Sequence, residues 1–181
     1  MKMSDWFLNV SYRSDFDEDL NFIDYRADLN LLNIETEDHI NIGHASFLLY
    51  NTYHFNDWLD VVFSGDGLSG DAYEVLDVLT GFRETEEIYG LIIILNTLKI
   101  DEKFQMQGWG SIAMEEFLKY WSYIGAEYLA LKPAPLESNI GGLERKKYIK
   151  RLTEFYKRFG FKILKTQERE ELCMGKNLTY L

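Results

Sequence analysis

The chain predicts a single α+β domain, and three observations carry that expectation. An apolar run, Leu91–Ile100, leads into a glycine-bearing turn and then an amphipathic stretch, the order strand, turn, helix. Further strand-like segments lie on both sides, and a second amphipathic stripe begins at Arg145. The length of 181 residues suits one domain, and 46% hydrophobic content with 15% aromatics supplies ample core.

In chain order, the first twenty residues read as an acidic, aromatic-spotted lead-in. Phe22–Leu29 shows partial period-two alternation and reads as a first strand, and His39–Tyr50 is a stronger strand candidate, bounded by Asn51 and Thr52. Residues 55–90 resemble an insertion. Gly65-Asp66-Gly67-Leu68-Ser69-Gly70 is turn chemistry, while Ala72, Val75, Leu76 and Leu79 trace a helical stripe closed by Gly81. Ile, Leu and Thr fill the run 91–100 as in a buried strand. Met114, Phe117, Leu118 and Trp121 then fall on one helix face. Glu127–Lys132 reads as a strand ended by Pro133 and Pro135, since proline pushes the residue before it out of helical space. Ser138–Gly142 follows as a flexible loop. Tyr148, Leu152, Phe155, Tyr156 and Phe159 mark a helix ended by Gly160, and Phe161–Leu164 and Leu172–Leu178 are late strands.

The turn before the helix carries the chemistry. A strand feeding a helix gathers free backbone N–H groups and the positive end of the helix dipole at one point, which suits a phosphate. Gly108 can take positive φ and let an anion approach its backbone, and Gly110 would let the helix start tight against the strand. The turn lacks the Gly-Lys-Ser/Thr ending of a P-loop. It also fails the dinucleotide fingerprint, because Met106 stands where a first glycine is needed and Ala113 where a third is.

Gln105-x-x-Gly108-x-Gly110 resembles the Q/R-x-x-G-x-G/A signature of the GNAT superfamily of acyl-CoA-dependent N-acyltransferases. Phe155-Tyr156-Lys157-Arg158-Phe159-Gly160-Phe161 is similar to that family's closing helix. The resemblance spans roughly residues 88–164, and Leu131–Glu137 resembles a segment of a little-characterised GNAT-like branch. It implies a GNAT-like fold over residues 1–181: a mixed, largely antiparallel central sheet flanked by helices.

The resemblance also implies a site. Acetyl-CoA would lie along the backbone of Leu98 and Ile100, with its pyrophosphate on Gln105, Met106, Gln107, Gly108, Trp109, Gly110 and Ser111. A main-chain N–H near Leu98 or Ile100 would polarise the thioester carbonyl. Tyr156 occupies the position of the acid that protonates the departing thiolate. The strand position that carries a glutamate in some relatives is Ile94 here, so the general base is missing there. Asn96, two residues on, would line the cleft without taking a proton. An Asn common near the start of the closing helix is replaced in the region of Ile149 and Lys150. Glu74 or Asp77 would fall near the acceptor wall, or sit on a solvated face. Arg145, Lys146, Lys147 and Lys150 either meet a cofactor phosphate or form a solvated face. The implied activity is acetyl transfer from acetyl-CoA to a primary amine of a small molecule or protein. The competing expectation is a GNAT-like acyl-CoA-binding or interaction module without turnover.

Composition limits partners. Net charge is −11, with −7 over residues 1–40 and +6 over residues 145–158. The total speaks against nucleic acid and for a cationic amine acceptor, and a homodimer is also open. No apolar run reaches a membrane span, and no signal-like leader follows Met1, so the expectation is a cytoplasmic protein. Cys173 reads as a packed thiol, and His39, His44 and His54 have no zinc-type companions, so no metal is expected. His44 could instead point into a cleft as a general base.

Overall fold

The computed structural model describes residues 6–135, 141–165 and 172–179. Seven strands and four α-helices follow in the order β1 (Trp6–Asp17), β2 (Phe22–Asn33), β3 (His39–Asn51), α1 (Trp58–Leu68), α2 (Gly70–Thr80), β4 (Leu91–Ile100), α3 (Trp109–Tyr123), β5 (Tyr128–Leu131), α4 (Gly142–Lys157), β6 (Lys162–Leu164) and β7 (Cys173–Asn177). The strands form one sheet in the order β1-β2-β3-β4-β5-β7-β6. Every neighbouring pair is antiparallel except β4 with β5. This is the α+β, largely antiparallel arrangement that the GNAT resemblance implies.

Two apolar clusters sandwich the sheet. On the back face, Ala113, Met114, Phe117 and Trp121 of α3 and Tyr156 of α4 pack on Leu29, Phe47, Ile93 and Leu129. Aromatic contacts are dense there: Trp121 meets Tyr25 and Phe47 edge-on at 5.0 Å each, and Tyr12 stacks on Tyr120 at 3.8 Å. Such pairs contribute about 0.5–1.5 kcal/mol each beyond the area they bury. On the front face, Val61 and Val62 of α1 and Val75, Leu76 and Leu79 of α2 cover Leu48, Tyr50, Ile92 and Ile94. Cys173 is buried in this front cluster.

Two sequence expectations need correction. The lead-in before Asp17 is a twelve-residue edge strand that places Leu8, Val10 and Tyr12 against the back cluster. The supposed turn at Gly65–Leu68 is the last part of α1, which Ser69 then separates from α2. The glycine there serves packing: a Cβ on Gly65 would come within 2.6 Å of Leu76 Cδ1 and 3.3 Å of the Ala72 backbone. Helix proximity, not turn geometry, therefore selects glycine at this point.

The Ser138–Ile140 loop and the Leu136-Glu137 end of the proline segment lie outside the described residues. Among the described residues no helix is long and apolar enough to cross a membrane.

Candidate active site

The site starts with an irregularity in β4. Ser46 of β3 pairs with Thr97, and Phe47 pairs with Leu95, so Asn96 is an extra residue, a β-bulge. The bulge reverses which face each side chain meets. Ile92 and Ile94 belong to the front cluster, whereas Leu98 and Ile100, of the same parity, pack against the back one. An uninterrupted strand keeps that parity on one face.

Pairing changes at the same place. Residues Ile92–Leu95 of β4 bond to Tyr128–Leu131 of β5. Beyond Leu95 the ladder with β5 stops, while the ladder with β3 runs on to Ile100. Among the described residues, one edge of Asn96–Ile100 is therefore open. Asp101 N–H donates to the Ile42 carbonyl of β3 at 2.8 Å. Because strand peptides alternate sides, Lys99 and Thr97 also face β3, and Leu98 and Ile100 point toward the open edge. The Ile100 carbonyl there accepts from Gln105 Nε2 at 2.8 Å.

Gln105 thus spends its side chain bracing the strand end, and Gln107 Nε2 braces the loop by donating to the Lys103 carbonyl at 2.8 Å. Met106 has φ +58° and is fully exposed, and Gly108 has φ +89° at the start of α3. A Cβ on Gly108 would meet nothing within 4 Å, so the space over it is open. Gly110 is less constrained than expected, since a Cβ there would stand 3.9 Å from Ile100 Cγ1 and from Phe155 Cζ, ordinary contact distances. Among the described residues, no protein acceptor meets the N–H groups of Met106, Gln107, Gly108, Trp109 or Gly110. Neither a side-chain cap nor an acidic residue in the first turn offsets the positive end of α3. Ser111 differs, for its N–H already donates to the Gly108 carbonyl at 2.9 Å, which leaves its hydroxyl. The Trp109 side chain turns away into the core, with its indole N–H unpaired.

Tyr156 lies on the last turn of α4, in the cluster that holds Leu95 and Leu131, the final paired residues of β4 and β5. Phe155 and Phe161 meet its ring edge-on at 5.1 and 5.7 Å. Burial, with a smaller contribution from Tyr148, pushes the phenol well above its ordinary range, so it remains protonated.

Asn96 is exposed on the front face, where it lines a cavity of about 610 Å³ with His44, Ser46 and Thr97. Tyr156 packs in the back cluster, so the two proposed catalytic residues sit on opposite faces of the sheet. Ile94 is buried in the front cluster. Glu74 bonds to Lys132, which also donates to Asp71 at 2.9 Å, tying α2 to the end of β5. Among the described residues, no group of three or more His, Cys, Asp or Glu side chains is gathered for a metal ion. Sequence reasoning did not find the cavity residues of β1 and β2, Arg13, Asp24, Arg26 and Asp28. The available signal was the polar alternation of 24, 26 and 28 against apolar or small 23, 25, 27 and 29.

No protein-family model and no curated protein sequence matches the chain. Solved structures with a similar arrangement are GNAT-fold acetyltransferases. One, described as AtaTR bound with AcCoA, is 15% identical with a TM-score of 0.44, over 98% of this chain and 96% of its own. FeeM, an N-acyl amino acid synthase from uncultured soil microbes, is 10% identical with a TM-score of 0.47, over 95% and 92%. A KacTA–DNA complex is 14% identical with a TM-score of 0.46, over 87% and 69%. Likeness at this level describes an arrangement of elements and assigns no chemistry.

The DNA complex does overturn one expectation, the exclusion of nucleic acid as a partner. The physical reason is screening. At physiological salt, charges act over roughly 8 Å, so the +6 carried by residues 145–158 is not cancelled by an acidic total of −11.

Proposed function

We propose that the chain transfers an acetyl group from acetyl-CoA to a primary amine by direct attack in a ternary complex. The observation that carries this reading is the open edge of β4 beside the N–H groups of residues 106–110, leading into α3, which meet no acceptor among the described residues. An open strand edge is a template for another extended chain of amides, and pantetheine is such a chain. The N–H groups of residues 106–110 and the α3 dipole suit a pyrophosphate. Gly108, with positive φ and open space above it, leaves room for close approach. The residues present therefore fit the nucleotide thioester, which supplies the activated acetyl group.

In this reading, a main-chain N–H of Leu98 or Ile100 donates to the thioester carbonyl oxygen as charge builds there. Fixed donors of this kind are worth about 3–4 kcal/mol. The N–C bond forms as the C–S bond breaks. Tyr156, held protonated by burial, gives its proton to the departing sulfur, and the proton that the amine nitrogen sheds as the amide forms returns to the phenolate. A neutral amine is needed for attack, and His44, exposed in the front cavity, takes the proton that an ammonium must lose first. Asn96 lies beside the route between cavity and edge and positions the acceptor.

The reading is tested by thermal unfolding with acetyl-CoA and by coenzyme A release over an amine panel. Ligand at a hundred times its dissociation constant stabilises by about 2.7 kcal/mol. In a domain of this size that is roughly a 5–10 °C rise in midpoint. Absence of a shift would count against the whole reading. A shift with no coenzyme A release from any amine would favour a binding module without turnover, the role that the buried Ile94 in place of a carboxylate would fit.

A further inference from the structure

The front cavity lies over the antiparallel half of the sheet and reaches Asn96 and Thr97, where the open edge of β4 begins. Its rim is charged in an ordered way. Arg13 of β1 donates to Asp28 of β2 at 2.8 Å. Arg26, facing Arg13 across the β1–β2 ladder, reaches Asp24 through Nε at 3.2 Å and Nη2 at 3.1 Å. Phe22 and Leu48 give the inner end an apolar floor.

These four charges sum to zero, unlike the acidic chain as a whole. A lone carboxylate would select a cation and a lone guanidinium an anion. Here a singly charged ligand that displaced one member of a pair would form one ion pair and break another, with no net gain. A ligand carrying both charges exchanges partners with both members. The pairs are open to solvent, with the arginine side chains 72% and 71% exposed, so they are weakly held and easily exchanged.

From this we infer that the cavity takes a dipolar acceptor, a primary amine that also bears a carboxylate and an apolar side chain, as an amino acid does. The carboxylate goes to Arg26, the ammonium to the Asp24–Asp28 side within reach of His44, and the side chain to the floor at Phe22 and Leu48. This rests on the acyl-transfer reading for its purpose, but the binding preference can be measured without turnover.

The test is calorimetric titration of the full chain with phenylalanine, 2-phenylethylamine and 3-phenylpropanoate, which share the ring and differ in charge. Phenylalanine is expected to bind at least tenfold more tightly than either singly charged compound. Arg26→Gln should weaken phenylalanine at least tenfold and strengthen 2-phenylethylamine, because Asp24 is left free to pair with an ammonium. Equal binding of phenylalanine and 2-phenylethylamine, no binding of any of the three, or an unchanged phenylalanine affinity in Arg26→Gln would overturn the inference. The acetyl-CoA thermal shift, measured on the same wild-type and variant proteins, separates the two ideas. A normal shift with no dipolar preference sinks the cavity assignment alone, and a missing shift with the preference intact sinks acyl transfer alone.

Discussion

Two halves of one strand behave differently. Leu91–Leu95 is paired to β3 on one side, and its residues Ile92–Leu95 are paired to β5 on the other and buried. Asn96–Ile100 keeps β3, loses β5 and contains no buried residue. The chemical contrast is small, since Leu98 and Ile100 are as apolar as anything before them. The difference comes from one extra residue at Asn96 and from a neighbour that ends at Leu131. The lesson is that a strand can be core along one stretch and carry an open edge along the next without any change in composition.

The sharpest break between the halves is energetic. Ile93→Ala removes a fully buried side chain between the sheet and α3 and should cost about 2–5 kcal/mol in urea unfolding. Lys99→Ala, in the open half, should stay within about 0.5 kcal/mol. Comparable losses would mean that the second half is packed as tightly as the first.

Ligand response should be the reverse. Gly108→Asp puts a carboxylate into the open space above the loop and should abolish the stabilisation of about 2.7 kcal/mol expected from acetyl-CoA at a hundred times its dissociation constant. Gly108→Asn, which also tolerates positive φ and has nearly the same shape, controls for backbone strain and should retain part of the shift. Equal behaviour of the two would show that charge at this point is irrelevant.

Tyr156→Phe tests the proposed acid on the back face. Acetyl-CoA binding should persist, and turnover should fall tenfold or more, about 1.4 kcal/mol in the barrier. Full turnover would remove Tyr156 from the reaction. The smallest effect belongs to Gln105→Ala, which frees the Ile100 carbonyl. A stability loss of about 1 kcal/mol or less is expected, together with a several-fold higher KM for acetyl-CoA. An unchanged KM would show that the brace does not help shape the edge.

Much of this was legible in the sequence. The run Leu91–Ile100 is a strand over the same residues, and the stripe Met114, Phe117, Leu118 and Trp121 is the buried face of α3. β1 was harder to read because it is an edge strand: only Trp6, Leu8, Val10 and Tyr12 alternate toward the core, and Arg13–Asp17 is mostly polar and exposed. α1 was misread because Gly65 and Gly67 carry turn chemistry locally, while the approach of Leu76 and Leu20 decides their use. The bulge at Asn96 leaves no local mark, since it depends on register with Ser46 and Phe47 across the sheet. For the same reason the rim charges, contributed by β1 and β2, come together only once the strands pair. The proposal for the loop could be made from sequence because backbone groups at a strand-to-helix turn need no particular side chain. The neutral balance of the front cavity was not, because net charge is a property of the whole chain.

Amide hydrogen exchange with and without acetyl-CoA tests the central claim most directly. The N–H groups of Leu98, Ile100 and Met106–Gly110 should exchange rapidly in the free protein and slow at least tenfold when acetyl-CoA is added, while Ile92–Leu95, already paired on both sides, should not change. Protection that appears elsewhere, with residues 98–110 still exchanging freely in the saturated protein, would contradict the account.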